Sequence, residues 1–385
     1  MKPHIILIAS VLKPADDIRM ARKIGKSIAK LPGTEVHIAG FTSKQETIEG
    51  LVLHPLFTFS RLSPKRAFAN AKVLTLALRL KPTVFILSTH ELLPAALLLK
   101  FLRGTKLIYD VQENYYRNII YTDAFPGLIR KPLAGLVRLL EKSSARFIDH
   151  FLLAEKAYYH ELPFAQAKAA TVENKYIADQ IPQQEKTLPI SFATQTEIRL
   201  LYSGTISFSY GILEAIKLAT DLHAIYPGYR LTIIGYAAQP EVLDKLKKAI
   251  KNKPFISLIG GNRLVPYNQI VSEIQQSDLG LLPYQPNKST ENCIPTKLYE
   301  YLANRLPMLL QQNSLWQELV ERWQAGITID FANSDAAVLH AQITSALFYT
   351  NGPAKAIFWH TEEEKLLQIV GNQIITCSKP KNKFT

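Results

Sequence analysis

The first forty residues pass through two hydrophobic textures. HIILIAS (4–10) is a continuous apolar run of strand length, and DIRMARKIGKSIAKL (17–31) spaces its apolar residues by three and four. EVHIAGF (35–41) then returns to strand texture. Such a strand, helix, strand succession is the building unit of parallel sheets. TVFILST (83–89), KLIYDV (106–111) and HFLLAE (150–155) predict further short buried strands, with helical stretches between them. LLPAALLLKFL (92–102) is a longer apolar run, but its lysine and length suit a buried helix better than a membrane span.

Between Ile177 and Glu197 the texture breaks. IADQIPQQEKTLPISFATQTE is rich in Gln, Thr and Pro and has no helical period, as an interdomain linker would. The alternation then restarts. RLLYSG (199–204), RLTIIG (230–235), ISLIG (256–260) and LGLLPY (279–284) predict strands. GILEAIKLATDLHAIY (211–226), PEVLDKLKKAI (240–250) and YNQIVSEIQQS (267–277) predict the helices between them, and PTKLYEYL (295–302) opens another, ahead of MLLQQ and GITID. HTEEEKLLQIVGNQI carries a Thr361/Glu364 capping box and predicts a closing helix. The chain therefore reads as α/β, with two tandem Rossmann-like doubly wound domains. Residues 1–178 form the first, 179–197 the linker, 198–355 the second, and 356–385 a helix and basic tail returning toward the first. Ligands of such sheets bind beyond the carboxyl ends of the strands, and a cleft between the domains is the expected site.

Composition narrows this picture. At 385 residues the chain exceeds one ordinary core, and 47% apolar with 20% charged residues is the balance of a soluble enzyme. The two cysteines, Cys293 and Cys377, make no disulfide framework and suit a reducing cytosol. No leader or membrane span is apparent, so a cytoplasmic location is expected. The net charge of +13 is lopsided: residues 1–180 hold 26 Lys/Arg against 15 Asp/Glu. Either that half faces something anionic or it carries an ordinary solvated basic surface.

Several chemistries are missing from the motifs. There is no G-x-G-x-x-G, no phosphate loop, no G-x-S-x-G, no H-E-x-x-H and no Asp-x-Asp pair, and the nine histidines are scattered. No metal site or bound cofactor is expected. PTKLYEYL offers something else. Thr296 can cap the helix, whose first-turn amides and dipole attract an anion. Lys297 adds positive charge suited to a phosphate. Glu300, three residues on, lies on the same face and can accept two hydroxyls, as a ribose diol offers. Leu298, Tyr301 and Leu302 form the buried stripe. The competing reading is a Lys297–Glu300 pair on a solvated face.

The run LLYSGTISFSYGILEAI, LTIIG, ISLIGG, SDLGLLPY, IPTKLYEYLANRLPML resembles the nucleotide-sugar domain of GT-B glycosyltransferases, in particular glycosyltransferase family 4. DDIRMARKIGKSIA, KLIYDVQENYYRN and TVENKY are similar to the amino-terminal half of its bacterial members. The resemblance implies a retaining, metal-independent transfer of sugar from a nucleotide diphosphate sugar to an acceptor hydroxyl, in cell-surface polysaccharide or glycolipid synthesis. It makes Glu300 the ribose-binding acid, the second of a Glu-x7-Glu motif whose first position holds Asn292, with Glu291 one residue out of register. It surrounds the donor with Thr296, Lys297, Gly204, Thr205 and Arg263. Thr205 and Tyr210 stand where the family often has a phosphate-binding arginine and lysine, leaving Lys297 and Arg263 as replacements. YDVQEN matches a segment that usually reads Asp-x-His-Glu, which assigns Asp110, Gln112 and Glu113. Gln112, Glu113 and Asn292 are thus the candidate catalytic residues. Asp17, Arg19 and Asp110 mark the acceptor side, Asp17 and Arg19 either as an ion pair or as substrate contacts, or else as ordinary helix-start charges.

RLSPKRAFANAKVLTLALRLK (61–81) and FPGLIRKPLAGLVRLLEKSSARF (125–147) interleave basic and apolar residues. They are expected either to lie on an anionic leaflet, with a lipid-linked or saccharide acceptor, or to be ordinary amphipathic core helices. Two other functions stay open: a nucleotide-sugar epimerase, and a catalytically silent binding protein. Nucleic acid is not an expected partner, since the aromatic residues show no stacking-module pattern.

Overall fold

The computed structural model describes residues 2–42, 47–59, 66, 68–122, 125–178, 188–351 and 355–378. The chain forms two compact units: Met1–Ile177 with Trp359–Thr385, and Ala178–Phe358.

The first unit is built on a parallel sheet of β1 (His4–Pro14), β2 (Thr34–Phe41), β3 (Leu51–Phe57), β4 (Val84–Leu87), β5 (Lys106–Val111), β6 (His150–Leu153) and β7 (Ala169–Thr171). Their order is β3-β2-β1-β4-β5-β6-β7. The winding reverses between β1 and β4, so the carboxyl ends of β1, β4 and β5 border the crevice where such sheets bind ligands. β3 and β7 go beyond the strands read from the sequence. LVLHPLF contains a proline and a histidine, and its β propensity shows only once β2 pairs with it.

One face of this sheet packs Ile6, Ile8, Ile86 and Ile108 against Met20, Ile24 and Ile28. The helix Ile18–Gly25 is wound as a π-helix before a short α turn, Lys26–Ile28. Leu366 and Val370 of the helix His360–Ser378 belong to the same core, beside Trp359. The Trp359 indole donates to Ser27 Oγ at 2.9 Å. That last helix starts at His360, one residue ahead of the expected cap. The Thr361 hydroxyl accepts from Lys175 Nζ, and Glu364 is exposed, so the capping box is replaced by contacts to the body of the unit.

The second unit contains β8 (Ile190–Ser191), β9 (Ile198–Thr205), β10 (Tyr229–Tyr236), β11 (Ile256–Gly261), β12 (Leu279–Leu282), β13 (Met308–Gln311), β14 (Gly326–Ile329) and β15 (Leu347–Phe348). Six of these make a parallel sheet of order β11-β10-β9-β12-β13-β14, which reverses between β9 and β12. The other two form an antiparallel pair, β15-β8. The stretch expected as linker therefore ends in structure: Ile190 and Ser191 pair with Phe348 and Leu347. Phe192 packs on Phe348 with ring centroids 5.6 Å apart. Residues 179–187 lie outside the described residues, as does the basic tail from 379 onward.

Candidate active site

In the second unit β9, β10 and β11 each have glycine as their penultimate residue. Pairing aligns Gly204 with Gly235 and Gly235 with Gly260, so three adjacent strands share a row without side chains one residue from their ends. A Cβ on Gly235 would stand 1.7 Å from the Gly204 oxygen, and one on Gly260 2.4 Å from the Gly235 oxygen. At Gly204, which has φ +107°, a Cβ would meet Lys297 Cε at 2.7 Å. The lysine stem thus lies directly on a backbone floor, an approach only glycine permits.

Lys297 comes from the helix Thr296–Ala303, whose buried stripe includes Leu298, Tyr301 and Leu302. The N-cap is Pro295, not Thr296: Thr296 is the first helical residue and is exposed. The proline supplies no side-chain acceptor, so no side chain caps the first turn. Lys297 Nζ donates to Glu300 Oε2 at 2.5 Å. Both side chains are largely covered, at 13% and 10% exposure. The Tyr301 and Ser203 hydroxyls are 3.0 Å apart and tie the helix to the end of β9.

The surrounding residues divide clearly. Thr205 and Arg263 are exposed, Thr205 at the tip of β9 and Arg263 in the loop after β11. Asn292 is exposed in the segment before the helix. That segment is anchored by the Trp316 indole, which donates to the Cys293 carbonyl at 2.7 Å, and by Asn313 Nδ2, which donates to the Glu291 carbonyl at 2.8 Å. The Tyr210 ring packs against Tyr284, which packs edge-on to Trp316. Burial first, then Tyr202, Tyr210, Tyr301 and Glu300, hold the Tyr284 phenol protonated well above its usual range. Sequence reading missed this aromatic support, since its three members stand far apart in the chain and none has a signature spacing.

In the first unit Asp17 caps the π-helix, accepting from the Arg19 and Met20 amides at 3.0 and 3.1 Å. Arg19 does not pair with it. The guanidinium grips Asp110 through Nε (3.2 and 3.1 Å) and Nη2 (2.7 Å), and Nη2 also donates to the Val172 carbonyl at 3.0 Å. Both side chains are closed off, at 4% and 0% exposure. Burial alone would lower the Arg19 pKa, but Asp110 outweighs it and the guanidinium stays charged. Arg19 and Lys23, four residues apart, both turn inward, and Lys23 Nζ reaches Asn174 Oδ1 at 2.6 Å.

Gln112 donates to Asp110 Oδ2 at 2.8 Å, which restrains its amide at the end of β5. Glu113 accepts from Asn118 Nδ2 at 2.8 Å and lies 4.0 Å from Lys13. The site residues of this unit are thus brought together, with Arg19 paired to Asp110 and Asp17 at the helix start. A buried charge needs a fully satisfied partner, and each supplies the other.

His90 was not singled out from the sequence, because a lone histidine after a strand carries no pattern. It stands just beyond β4, packed on the Tyr115 ring with centroids 4.5 Å apart. Its Nδ1 is buried, 3.4 Å from Glu91 Oε2. Burial, helped by Arg66 and opposed by Glu91, pulls the imidazole below its ordinary 6.5 and favours the neutral ring. Among the described residues no three His, Cys, Asp or Glu side chains converge as a metal site requires.

Residues 183–347 match the family model of glycosyl transferases group 1. No curated protein sequence matches the chain. Solved structures match it over nearly its whole length. Sucrose-phosphate synthase (tll1590) from Thermosynechococcus elongatus is 12% identical, with TM-score 0.69, over 97% of this chain and 100% of that one. Anabaena Alr3699/HepE in complex with UDP-glucose is 14% identical, with TM-score 0.63, over 96% and 99%. A UDP-forming trehalose-phosphate synthase from Burkholderia xenovorans is 12% identical, with TM-score 0.63, over 96% and 99%. The fold is the GT-B fold of these glycosyltransferases, and residues 183–347 match the group 1 glycosyltransferase model.

Proposed function

We propose that this glycosyltransferase moves a sugar from a nucleotide diphosphate sugar to an acceptor hydroxyl with retention at the anomeric carbon and without a metal. The observation that carries the reading is the Lys297–Glu300 pair at a helix start with no side-chain cap, over the glycine floor. The diphosphate seats on that floor, held by first-turn amides and Lys297. Glu300 then exchanges part of its ion pair for the two ribose hydroxyls. As the bond from the anomeric carbon to the diphosphate breaks, negative charge grows on the leaving oxygens, where Lys297 already stands. The acceptor oxygen bonds to the same face of the sugar, and its proton passes to the departing diphosphate. Positioning by Gln112, Glu113 and Asn292, rather than a protein nucleophile, supplies the remainder.

The acceptor is a saccharide or a lipid-linked carrier in cell-surface polysaccharide or glycolipid synthesis, met at the inner face of the membrane. UDP and UDP-glucose, which the Anabaena HepE structures hold, are the first donors to try. Thermal-shift screening of UDP, GDP and their sugars identifies the base. Proton NMR of the product then reads the anomeric configuration, and turnover in excess EDTA matches turnover without it. An inverted product overturns the retaining mechanism.

A second reading, a silent nucleotide-sugar-binding protein, is favoured by Tyr210, whose ring packs on Tyr284 where a phosphate-binding cation is expected. Under that reading donors raise the melting temperature and no donor is ever consumed. Release of an altered free sugar marks the epimerase instead.

A further inference from the structure

The helix Gly127–Ala145 presents an unusual outer face. Its buried side is the row Ala134, Val137, Glu141, Ser144 and Ala145. Four of its large apolar residues point the other way, Leu128 being 96% exposed, Leu136 and Leu139 63% each, and Ile129 47%, while Leu133 packs beside Ala134 and Val137. The four exposed residues, with Pro132 and Gly135, repeat along one stripe of the helix, and Lys131, Lys142 and Arg146 are exposed beside them. One side of the helix thus packs into the unit through Ala134 and Val137, and the other leaves a large apolar stripe uncovered.

The face continues onto the helix Leu93–Arg103, which the sequence suggests is a buried helix. Its buried side is Leu93, Ala95, Ala96 and Leu99, whereas Leu98, Phe101 and Leu102 are exposed. Phe101 meets Phe147 edge-on at 5.1 Å, and the Arg146 guanidinium lies 4.5 Å from the centre of the Phe147 ring. The two exposed stripes join there.

Charge selects the occupant. Neither helix exposes an acidic side chain; Glu141, the one acid in them, is buried. Arg103, Lys131, Lys142 and Arg146 are exposed, and among the described residues none of the four forms an ion pair with a carboxylate. Large apolar residues in an exposed patch, edged by unpaired cations and free of acids, suit an anionic lipid surface. No helix among the described residues is long and apolar enough to cross a membrane, so this contact is peripheral. The other basic segment contributes less. Its helix Ala69–Leu80 exposes Lys72, Thr75 and Arg79, with only Phe68 as a large apolar group, and residues 60–65 and 67 lie outside the described residues.

We infer that the outer faces of the helices Gly127–Ala145 and Leu93–Arg103 form one docking surface for an anionic bilayer. This deepens the lipid-linked side of the proposed function, although the binding itself does not depend on catalysis. The test is co-sedimentation of the full chain with vesicles of phosphatidylcholine and phosphatidylglycerol in equal parts, and of phosphatidylcholine alone. The wild type binds the mixed vesicles and releases them in high salt. Lys131→Glu/Lys142→Glu/Arg146→Glu weakens binding about a hundredfold, since each basic residue contributes about fivefold near such a surface. Leu136→Ser/Leu139→Ser weakens it about tenfold or more. Both variants keep the wild-type melting temperature and its shift by nucleotide sugars. Equal binding to neutral vesicles, or variants that bind like the wild type, overturns the inference. A wild type that is dimeric by light scattering and a leucine variant that is monomeric make the face a contact between copies, which also overturns it. Vesicle binding without any donor binding would sink the catalytic reading and leave this one standing; the reverse result sinks this one alone.

Discussion

The two units place a basic and an acidic side chain in the same region of the same topology, near the carboxyl end of a Rossmann-like sheet, and use them in opposite ways. Arg19 and Asp110 are sealed, and Asp110 also receives the Gln112 amide. Lys297 and Glu300 meet at 2.5 Å with part of each side chain still open, beneath a helix start with no side-chain cap. An enclosed pair cannot exchange partners without stranding a charge in low dielectric, so it serves as scaffold. A pair at the rim can trade one contact for a ligand's, because water or substrate replaces what is lost. Accessibility, not residue type, separates the scaffold from the site.

The sharpest way to break this contrast is Asp110→Asn. It leaves Arg19 charged and buried, and we expect a loss of about 3–5 kcal/mol in urea denaturation. Glu300→Gln measured alongside costs less, because Lys297 at the rim can reach water when its partner is lost. Equal losses would mean that both pairs are scaffold. In turnover the ranking inverts. Glu300→Ala lowers kcat/KM for the nucleotide sugar about tenfold to a hundredfold, the span of hydrogen bonds to a charged group, with the melting temperature nearly unchanged. Full activity in this variant refutes the donor assignment.

Gly204→Ala probes the floor. Its new Cβ would lie 2.7 Å from Lys297 Cε at φ +107°, so the lysine stem must move. Donor affinity falls by about tenfold, and the strained backbone costs about 1 kcal/mol. Unchanged calorimetric affinity shows that the lysine does not need its seat.

The smallest effect concerns pH. His90 has a folded-state pKa below its ordinary 6.5, chiefly because it is buried. The unfolded chain then binds the proton more readily, so this contribution to stability is intact above 6.5 and lost as pH falls toward the lowered value. His54 and His150, also lowered by burial, act with the same sign. Urea denaturation of His90→Phe at stepped pH shows a shallower loss than the wild type between neutrality and mild acid. An unchanged slope would show that the ring is not held neutral by the fold.

Much of the fold was legible because two hydrophobic periods alternate through the chain. The strand ends at Gly204, Gly235 and Gly260 were visible as YSG, IIG and LIG, but their alignment into one floor depends on register, a relation between strands. Glu300 and Lys297 were legible because a helix repeats every 3.6 residues and brings them to one face. Arg19–Asp110 was not, since 91 residues separate its members and Asp17 offered a nearer partner. Nor was the orientation of the helix Gly127–Ala145. Its leucines can face a core or a membrane with the same spacing, and only the packing of Ala134 and Val137 decides which.

The amino-acid order alone determined where strands and helices alternate, that two such series follow one another, and that one helix begins with a cation and a carboxylate on a shared face. These are local matters, set by period and by the chemistry of neighbours along the chain. Tertiary structure decided which of two ion pairs is sealed, which carboxylate stays within reach of a ligand, and which leucines meet water. Each depends on what distant segments cover, and burial sets whether a charge is fixed in place or free to engage.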